Sequence, residues 1–262
     1  MKDKLNQIIS YGKFRINSKT RHAVHSPFVF EMCQLVLRKD RKTNVFIPIE
    51  EARKFFRNDK EFLEIEDLGA GSKAGNSKKK KISTIAKYSL SSPRQCRTLY
   101  RLVNHYRPQI IVELGTSLGI STAYMAIAND QAMIYTIEGS EVIYNRAQSL
   151  FTDLNLDNIQ AIHGDFHDRL PMLLTDFKAV DMAFIDGNHT YSNTIDYFEQ
   201  IIQKSHNDTI IVVDDIYWSK EMKQAWLEIK NHERTKTTID LYYFGIVLLR
   251  EEMSKEHFLL RY

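Results

Sequence analysis

Two cysteines in 262 residues, Cys33 and Cys96, are too few for a disulfide framework, and a chain of this length buries enough core to do without one. No hydrophobic stretch precedes a small-residue cleavage site, so a reducing, cytoplasmic location is expected. Long apolar runs are lacking too. The longest, such as Ile210 to Val213 and Phe244 to Leu249, are strand-sized and far below the ~18 residues of a membrane span, which argues against a membrane role. Charge of one sign is scarce: 36 Lys and Arg against 33 Asp and Glu leave a net charge of +3, too little for a nucleic-acid footprint. There is no internal repeat and no long low-complexity segment.

What is present falls into two parts. Residues 1–92 read as a helical, irregular N-terminal extension. Ser26-Pro27 is an N-cap followed by proline at the first helical position, opening a helix through Phe30, Cys33 and Leu37. A second helix is expected from about Ile49 to Phe62, broken by Asp67-Leu68-Gly69-Ala70-Gly71-Ser72. No convincing strand precedes that glycine turn, so it reads as a loop rather than a second cofactor site. The Gly/Ser/Asn-rich stretch from Gly69 to Ser77 and the lysines Lys73 and Lys78 to Lys81 look like a mobile loop, either solvated or acting as a lid for an anionic substrate. Phe28, Phe30, Phe55 and Phe56 are core or the surface of a homodimer.

Residues 93–262 read as an α/β domain. Ile110 to Leu114, Ala132 to Glu138, Ile159 to His163, Val180 to Asp186 and Thr209 to Asp214 are strands that alternate with amphipathic helices, the pattern of a doubly wound parallel sheet. Thr238 to Tyr243 and Gly245 to Arg250 have no room for a helix between them, so this last pair is antiparallel.

In such sheets the ligand lies beyond the carboxyl ends of the strands, and the first turn carries the glycines. Here the run is Val112-Glu113-Leu114-Gly115-Thr116-Ser117-Leu118-Gly119-Ile120-Ser121. Ser117 stands where a dinucleotide-binding turn has its second glycine, which disfavours a pyrophosphate and favours a cofactor without phosphates. Glu138, ending the next strand in Thr136-Ile137-Glu138-Gly139, is placed to accept ribose hydroxyls. Asp165 and Phe166, after the third strand, can accept from an adenine amino group and cover its ring.

Together these motifs, with Phe184-Ile185-Asp186-Gly187-Asn188-His189-x-Tyr191 and Val212-Val213-Asp214-Asp215, resemble the class I S-adenosylmethionine-dependent methyltransferases, specifically the small-molecule O-methyltransferases related to catechol O-methyltransferase. The resemblance covers about Pro93 to Arg250. It implies a Rossmann-like, mostly parallel seven-stranded sheet with an antiparallel last strand. It also implies S-adenosylmethionine bound along Glu113, Gly115, Thr116, Ser117, Gly119, Ser121, Glu138, Gly139, Asp165, Phe166 and Asp186. The implied reaction moves a methyl group to an oxygen, or alternatively a nitrogen, of a small-molecule acceptor.

Asp186, Asp214 and Asp215 bring three carboxylates to one edge of the sheet, and a magnesium ion with oxygen ligands would relieve their repulsion. In the similar metal-dependent enzymes the trio is Asp, Asp, Asn, so Asp215 departs from the pattern. His189, three residues after Asp186, is the candidate general base, in the place where the catechol enzymes have a lysine. Tyr217 and Trp218 are placed to wall an acceptor pocket. His22, His25 and His163 lack metal-ligand spacing and read as structural. Two other readings stay open: a binding or scaffold protein that keeps the cofactor pocket, and an NAD-dependent oxidoreductase, against which Ser117 and the antiparallel ending both count.

Overall fold

The computed structural model describes residues 2–37, 43–66 and 77–261. In chain order the elements are α1 (Lys2–Asn17), α2 (Pro27–Leu35), α3 (Ile47–Asn58), β1 (Phe62–Glu66), β2 (Ser77–Lys81), α4 (Ile82–Tyr88) and α5 (Pro93–Tyr106). There follow β3 (Ile110–Leu114), α6 (Ile120–Ala126), β4 (Met133–Glu138), α7 (Glu141–Asp153), β5 (Ile159–His163) and α8 (Phe166–Thr175). Last come β6 (Val180–Ile185), α9 (Tyr191–Gln203), β7 (Ser205–Asp214), α10 (Lys220–Asn231), β8 (Thr237–Asp240), β9 (Phe244–Leu248) and β10 (Glu256–Leu259). Strands β3 to β10 belong to one mixed, mostly parallel sheet. The chain forms two compact units, Asp40–Leu173 and Met1–Lys39 with Leu174–Tyr262. Among the described residues no helix is long and apolar enough to cross a membrane.

In the unit Asp40–Leu173, β3, β4 and β5 lie side by side and parallel. Ile111, Val112 and Leu114 are all fully buried, so β3 shows no inside-outside alternation, as a strand covered on both faces requires. Helix α5 starts with a capping box: Ser92 Oγ accepts the Gln95 N–H at 3.4 Å, and Gln95 Oε1 accepts the Ser92 N–H at 2.9 Å. Pro93 follows at the first helical position, where its missing N–H costs nothing. Ser92→Ala should therefore cost about 1 kcal/mol in a urea unfolding titration.

The N-terminal region departs from expectation here. The helix expected to reach Phe62 stops at Asn58, where Asp59 Oδ1 takes the Glu61 N–H at 2.8 Å and turns the chain. Residues 62–66 are then a strand, with Leu63 and Ile65 buried and Phe62 and Glu64 exposed. The lysine run is the partner strand, antiparallel in register Leu63 with Lys80 and Glu64 with Lys79. Lys79 Nζ lies 3.0 Å from Glu64, and the Lys81 ammonium stands 5.2 Å from the centre of the Phe62 ring. The lysines at 79 and 81 are thus strand residues with partners. The Asp67 to Ser72 turn, Lys73 and the rest of the stretch to Asn76 lie outside the described residues. The turn is preceded by a strand after all.

In the other unit the strand order is β10-β8-β9-β7-β6. β6 and β7 are parallel, and β9 is antiparallel to both β7 and β8. The expected seven strands are all present, and β10 adds an eighth, parallel to β8 at the edge. β7 begins at Ser205, earlier than expected, through an irregularity in which Val180 pairs Ser205 but Met182 pairs Ile210. Helix α2 has its expected cap, Ser26 Oγ accepting the Val29 N–H at 3.5 Å.

Candidate functional site

The unit Asp40–Leu173 holds the glycine turn. After Leu114 the backbone passes through Gly115 at φ 100°, Ser117 at φ 47° and Gly119 at φ 80° before α6 begins. Three left-handed residues in so short a span explain why two are glycine. The turn is pinned to β4: Gly115 and Thr116 N–H both donate to the Ile137 carbonyl, at 3.0 and 3.2 Å, and Gly119 N–H donates to the Thr116 carbonyl at 2.9 Å.

Glu113 sits beneath that turn and is wholly buried. Its Oε1 accepts from Ser121 Oγ at 2.7 Å, and its Oε2 accepts from Thr122 Oγ1 at 2.5 Å and Thr136 Oγ1 at 2.7 Å. Thr136 in turn shares a 2.6 Å hydrogen bond with Thr116, directly behind the turn. Burial pushes the Glu113 carboxyl up to about 7, although the three hydroxyls pull it down. Glu113 was expected along the cofactor, and in the folded chain its side chain lies wholly inside the protein. A side chain with no exposure and all this hydroxyl company ties β3, β4 and the first turn of α6 together. Thr122 and Thr136 were not singled out as site residues, but Glu113 and Thr136 are register partners on neighbouring strands.

Glu138 holds the turn from its open side. Its Oε2 accepts the Ser117 N–H at 2.8 Å and its Oε1 the Ser140 N–H at 3.0 Å. Burial pushes its carboxyl above the usual range, against those hydrogen bonds. The Gly139 N–H also bonds to it, and since a carboxylate offers about four acceptor positions it keeps capacity for a ligand. On the same two residues, the Ser117 and Ser140 hydroxyls are buried with no hydrogen-bond partner among the described residues. Each such group costs roughly 1–3 kcal/mol until something pairs with it. A vicinal diol, which both donates and accepts, fits a carboxylate flanked by two unpaired hydroxyls. Ser140 was missed in the sequence; its signal is that it stands two residues after the strand-ending acid.

Further along, the Gly139 carbonyl lies 3.2 Å from His163 Nε2, and Asp165 Oδ1 caps α8 by accepting the His167 N–H at 2.8 Å. Phe166 is nearly buried, packing against the fold with most of its ring.

The unit containing β6 and β7 holds the acids. Asp186 follows the last residue of β6, Asp214 ends β7, and Asp215 comes next with φ at 52°. His189 Nε2 lies 3.5 Å from Asp186 Oδ1. The Asp214 carboxyl is held well above its usual range, chiefly by burial and then by the charges of Asp186 and Asp215, and it is hydrogen-bonded to Asp186. Burial likewise raises Asp215, while His189 opposes the shift. The Asp214–Asp186 hydrogen bond and the nearby imidazole thus ease the crowding. Among the described residues no three His, Cys, Asp or Glu side chains are gathered so as to hold a metal ion, so the expected magnesium gains no support from the structure. Trp218 is 57 % exposed, whereas Tyr217 donates to Asp240 at 2.7 Å.

Residues 112–216 match the family described as "Methyltransferase domain". Two curated relatives are a protein-L-isoaspartate O-methyltransferase of Methanothermobacter thermautotrophicus, 30 % identical over 29 % of this chain and 36 % of its own, and an O-methyltransferase of Aspergillus hancockii, 28 % identical over 53 % and 56 %. The chain thus spans about a third to a half of the length of these relatives. Among solved structures, an O-methyltransferase of Streptomyces achromogenes in complex with SAM superposes with a TM-score of 0.60 at 18 % identity, covering 85 % of this chain and 95 % of the other. An O-methyltransferase from Bacillus cereus in complex with SAH gives 0.57 at 19 % identity, covering 83 % and 95 %. At these identities the structures speak for the fold.

Proposed function

We propose, from the match of residues 112–216 to the methyltransferase domain family, that this chain moves the methyl group of S-adenosylmethionine to an oxygen of a small-molecule acceptor. The observation that carries the reading is the Glu138 carboxylate between the buried, unpaired hydroxyls of Ser117 and Ser140, a complement to the ribose diol of that cofactor. When bound, the cofactor supplies an electrophilic methyl on a sulfonium, with no phosphate for the turn to cradle.

Glu138 would accept hydrogen bonds from the diol's hydroxyls while the two serine hydroxyls donate or accept beside it. Gly115 to Gly119 give the backbone curvature that leaves this edge open, and Glu113 keeps the turn fixed from below. Asp165, whose Oδ1 caps α8, is the acceptor we assign to an adenine amino group. His189 takes the proton that the acceptor oxygen loses as that oxygen bonds to the methyl carbon and the carbon's bond to sulfur breaks, leaving a neutral thioether, and Asp186 at 3.5 Å stabilises the imidazolium that results. Asp214, hydrogen-bonded to Asp186, keeps the cluster from carrying three full negative charges.

The test is a thermal shift. S-adenosylhomocysteine at ~100 times its dissociation constant should add about 2.7 kcal/mol, a rise of roughly 5–10 °C, and NAD should add nothing. A shift with NAD alone discards the reading. His189→Gln should leave the S-adenosylhomocysteine shift intact and lower turnover about a hundredfold when 4-nitrocatechol, 4-nitrophenol and 4-nitroaniline are offered as acceptors. Unchanged turnover removes His189 from the reaction. Preference for the two hydroxyl probes over the amine supports oxygen as the acceptor atom.

A further inference from the structure

The acid end of β7 carries a second buried carboxylate with no part in the steps above. Asp240 ends β8, only 4 % exposed, and three donors converge on it. Its Oδ2 accepts from Tyr217 Oη at 2.7 Å and Trp226 Nε1 at 3.3 Å, and its Oδ1 accepts from the Tyr242 N–H at 3.0 Å. Strand register places it at the acid end: Asp240 and Val213 both pair with Gly245, one residue short of Asp214. Gly245 is itself part of the arrangement, because a Cβ there would come within 2.5 Å of the Trp226 ring. The glycine lets Trp226 lie flat across the strand with its N–H on Asp240.

These hydrogen bonds hold two rings together. Tyr217 and Tyr242 stack with centroids 5.0 Å apart and planes 7° from parallel. Tyr242 has φ at 75°, a conformation a bulky residue seldom adopts, and its N–H is held by Asp240 in just that state. It lies within electrostatic reach of Asp215, and Tyr217 is two residues past that acid. Helix α1 buttresses the pair: Tyr11 meets Tyr242 edge-on at 5.0 Å, Phe14 touches Tyr242 at 5.4 Å, and Lys223 joins Ser10 at 2.5 Å while lying over Tyr217. A buried carboxylate is costlier than an apolar side chain of the same size, so its use where two rings must be aimed points to positioning.

Building on the methyl-transfer reading above, we propose that Asp240 is a positioning residue for the acceptor: it fixes the Tyr217 and Tyr242 rings as a wall beside Asp215 against which an aromatic acceptor lies. The wall touches the acceptor alike before and during methyl transfer, so loosening it changes binding and leaves the chemical step alone.

The test compares the wild-type chain with Asp240→Asn, which loses one acceptor position and the charge, and with the milder Tyr217→Phe, which removes the tether and keeps the ring. Expected are a rise of about tenfold or more in KM for 4-nitrocatechol with kcat within about twofold, an unchanged dissociation constant for S-adenosylhomocysteine, and a weaker near-ultraviolet circular dichroism signal from the stacked tyrosines. Should Asp240→Asn fail to fold, Tyr217→Phe carries the comparison alone. Equal KM values in wild type and Tyr217→Phe overturn the proposal. So does quenching of tryptophan fluorescence by 4-nitrocatechol that is identical in all three proteins, or absent in the wild type with S-adenosylhomocysteine bound. A wild type that binds 4-nitrocatechol and shows the wall effect but never methylates an acceptor leaves Asp240 in place and discards the methyl-transfer reading instead.

Discussion

Glu113→Gln is expected to become more stable than the wild type as the pH rises from about 5 to 8. In the folded chain the Glu113 carboxyl titrates at about 7, against 4.5 for an ordinary glutamate, because burial disfavours its charged form. The folded state therefore binds this proton more tightly than the unfolded state. Its stabilising contribution is fully present below pH 4.5 and is lost as the pH climbs through 7. The shift from 4.5 to about 7, at about 1.4 kcal/mol per unit, makes the full loss about 3 kcal/mol. Glutamine is the right comparison, since like a protonated glutamate it offers one donor and acceptor oxygen to Ser121, Thr122 and Thr136. Urea unfolding of both proteins across that pH range reads the effect. Other acids with raised values, Glu138, Asp214 and Asp240, are common to both and largely cancel in the difference. A difference that stays flat with pH means Glu113 is already neutral, or already charged, over the whole range.

The same residue shows where a sequence can be read and where it cannot. The strands β3 to β9 were legible because apolar β-branched runs separated by amphipathic helices permit few arrangements. The glycines and Glu138 were legible because backbone turns and strand ends put them where a ligand belongs. Glu113 was drawn into the same set because it lies in the same motif, yet the motif does not say which way a side chain points. Only the register of β3 against β4 places Thr136 under it. β1 was hidden because Phe62, Glu64 and Lys79 to Lys81 are exposed, leaving only Leu63 and Ile65 as apolar signal. β10 is four residues long, Glu-His-Phe-Leu, too short for its period to stand out. Asp240 was invisible because its partners are two, fourteen and twenty-three positions away, and no spacing rule joins a buried acid to a tryptophan on a helix.

Gly119→Ala is the second large effect, and it separates two reasons for a glycine in a cofactor turn. If Gly119 serves only to let a ligand approach, alanine should weaken S-adenosylhomocysteine binding and leave the free protein's stability nearly alone. The structure predicts otherwise. With φ at 80°, alanine is strained by about 1 kcal/mol wherever space allows it. Space does not allow it: the added Cβ would stand 2.6 Å from Phe151 Cε1 and 3.3 Å from Ala147 Cβ, both on α7. Phe151 is buried, so its ring cannot swing clear without displacing its neighbours, and overpacking of this kind costs about 1–3 kcal/mol. The expected total is a loss of roughly 2–4 kcal/mol in urea unfolding without any ligand. Phe151→Leu is the partner change, because it removes the ring edge that the new methyl would strike. In the double variant the clash disappears and the backbone strain remains, so the two losses should fall short of additivity by about 1–2 kcal/mol. Strict additivity would put the whole cost in the backbone and leave the packing of α6 on α7 with no part in the choice of glycine.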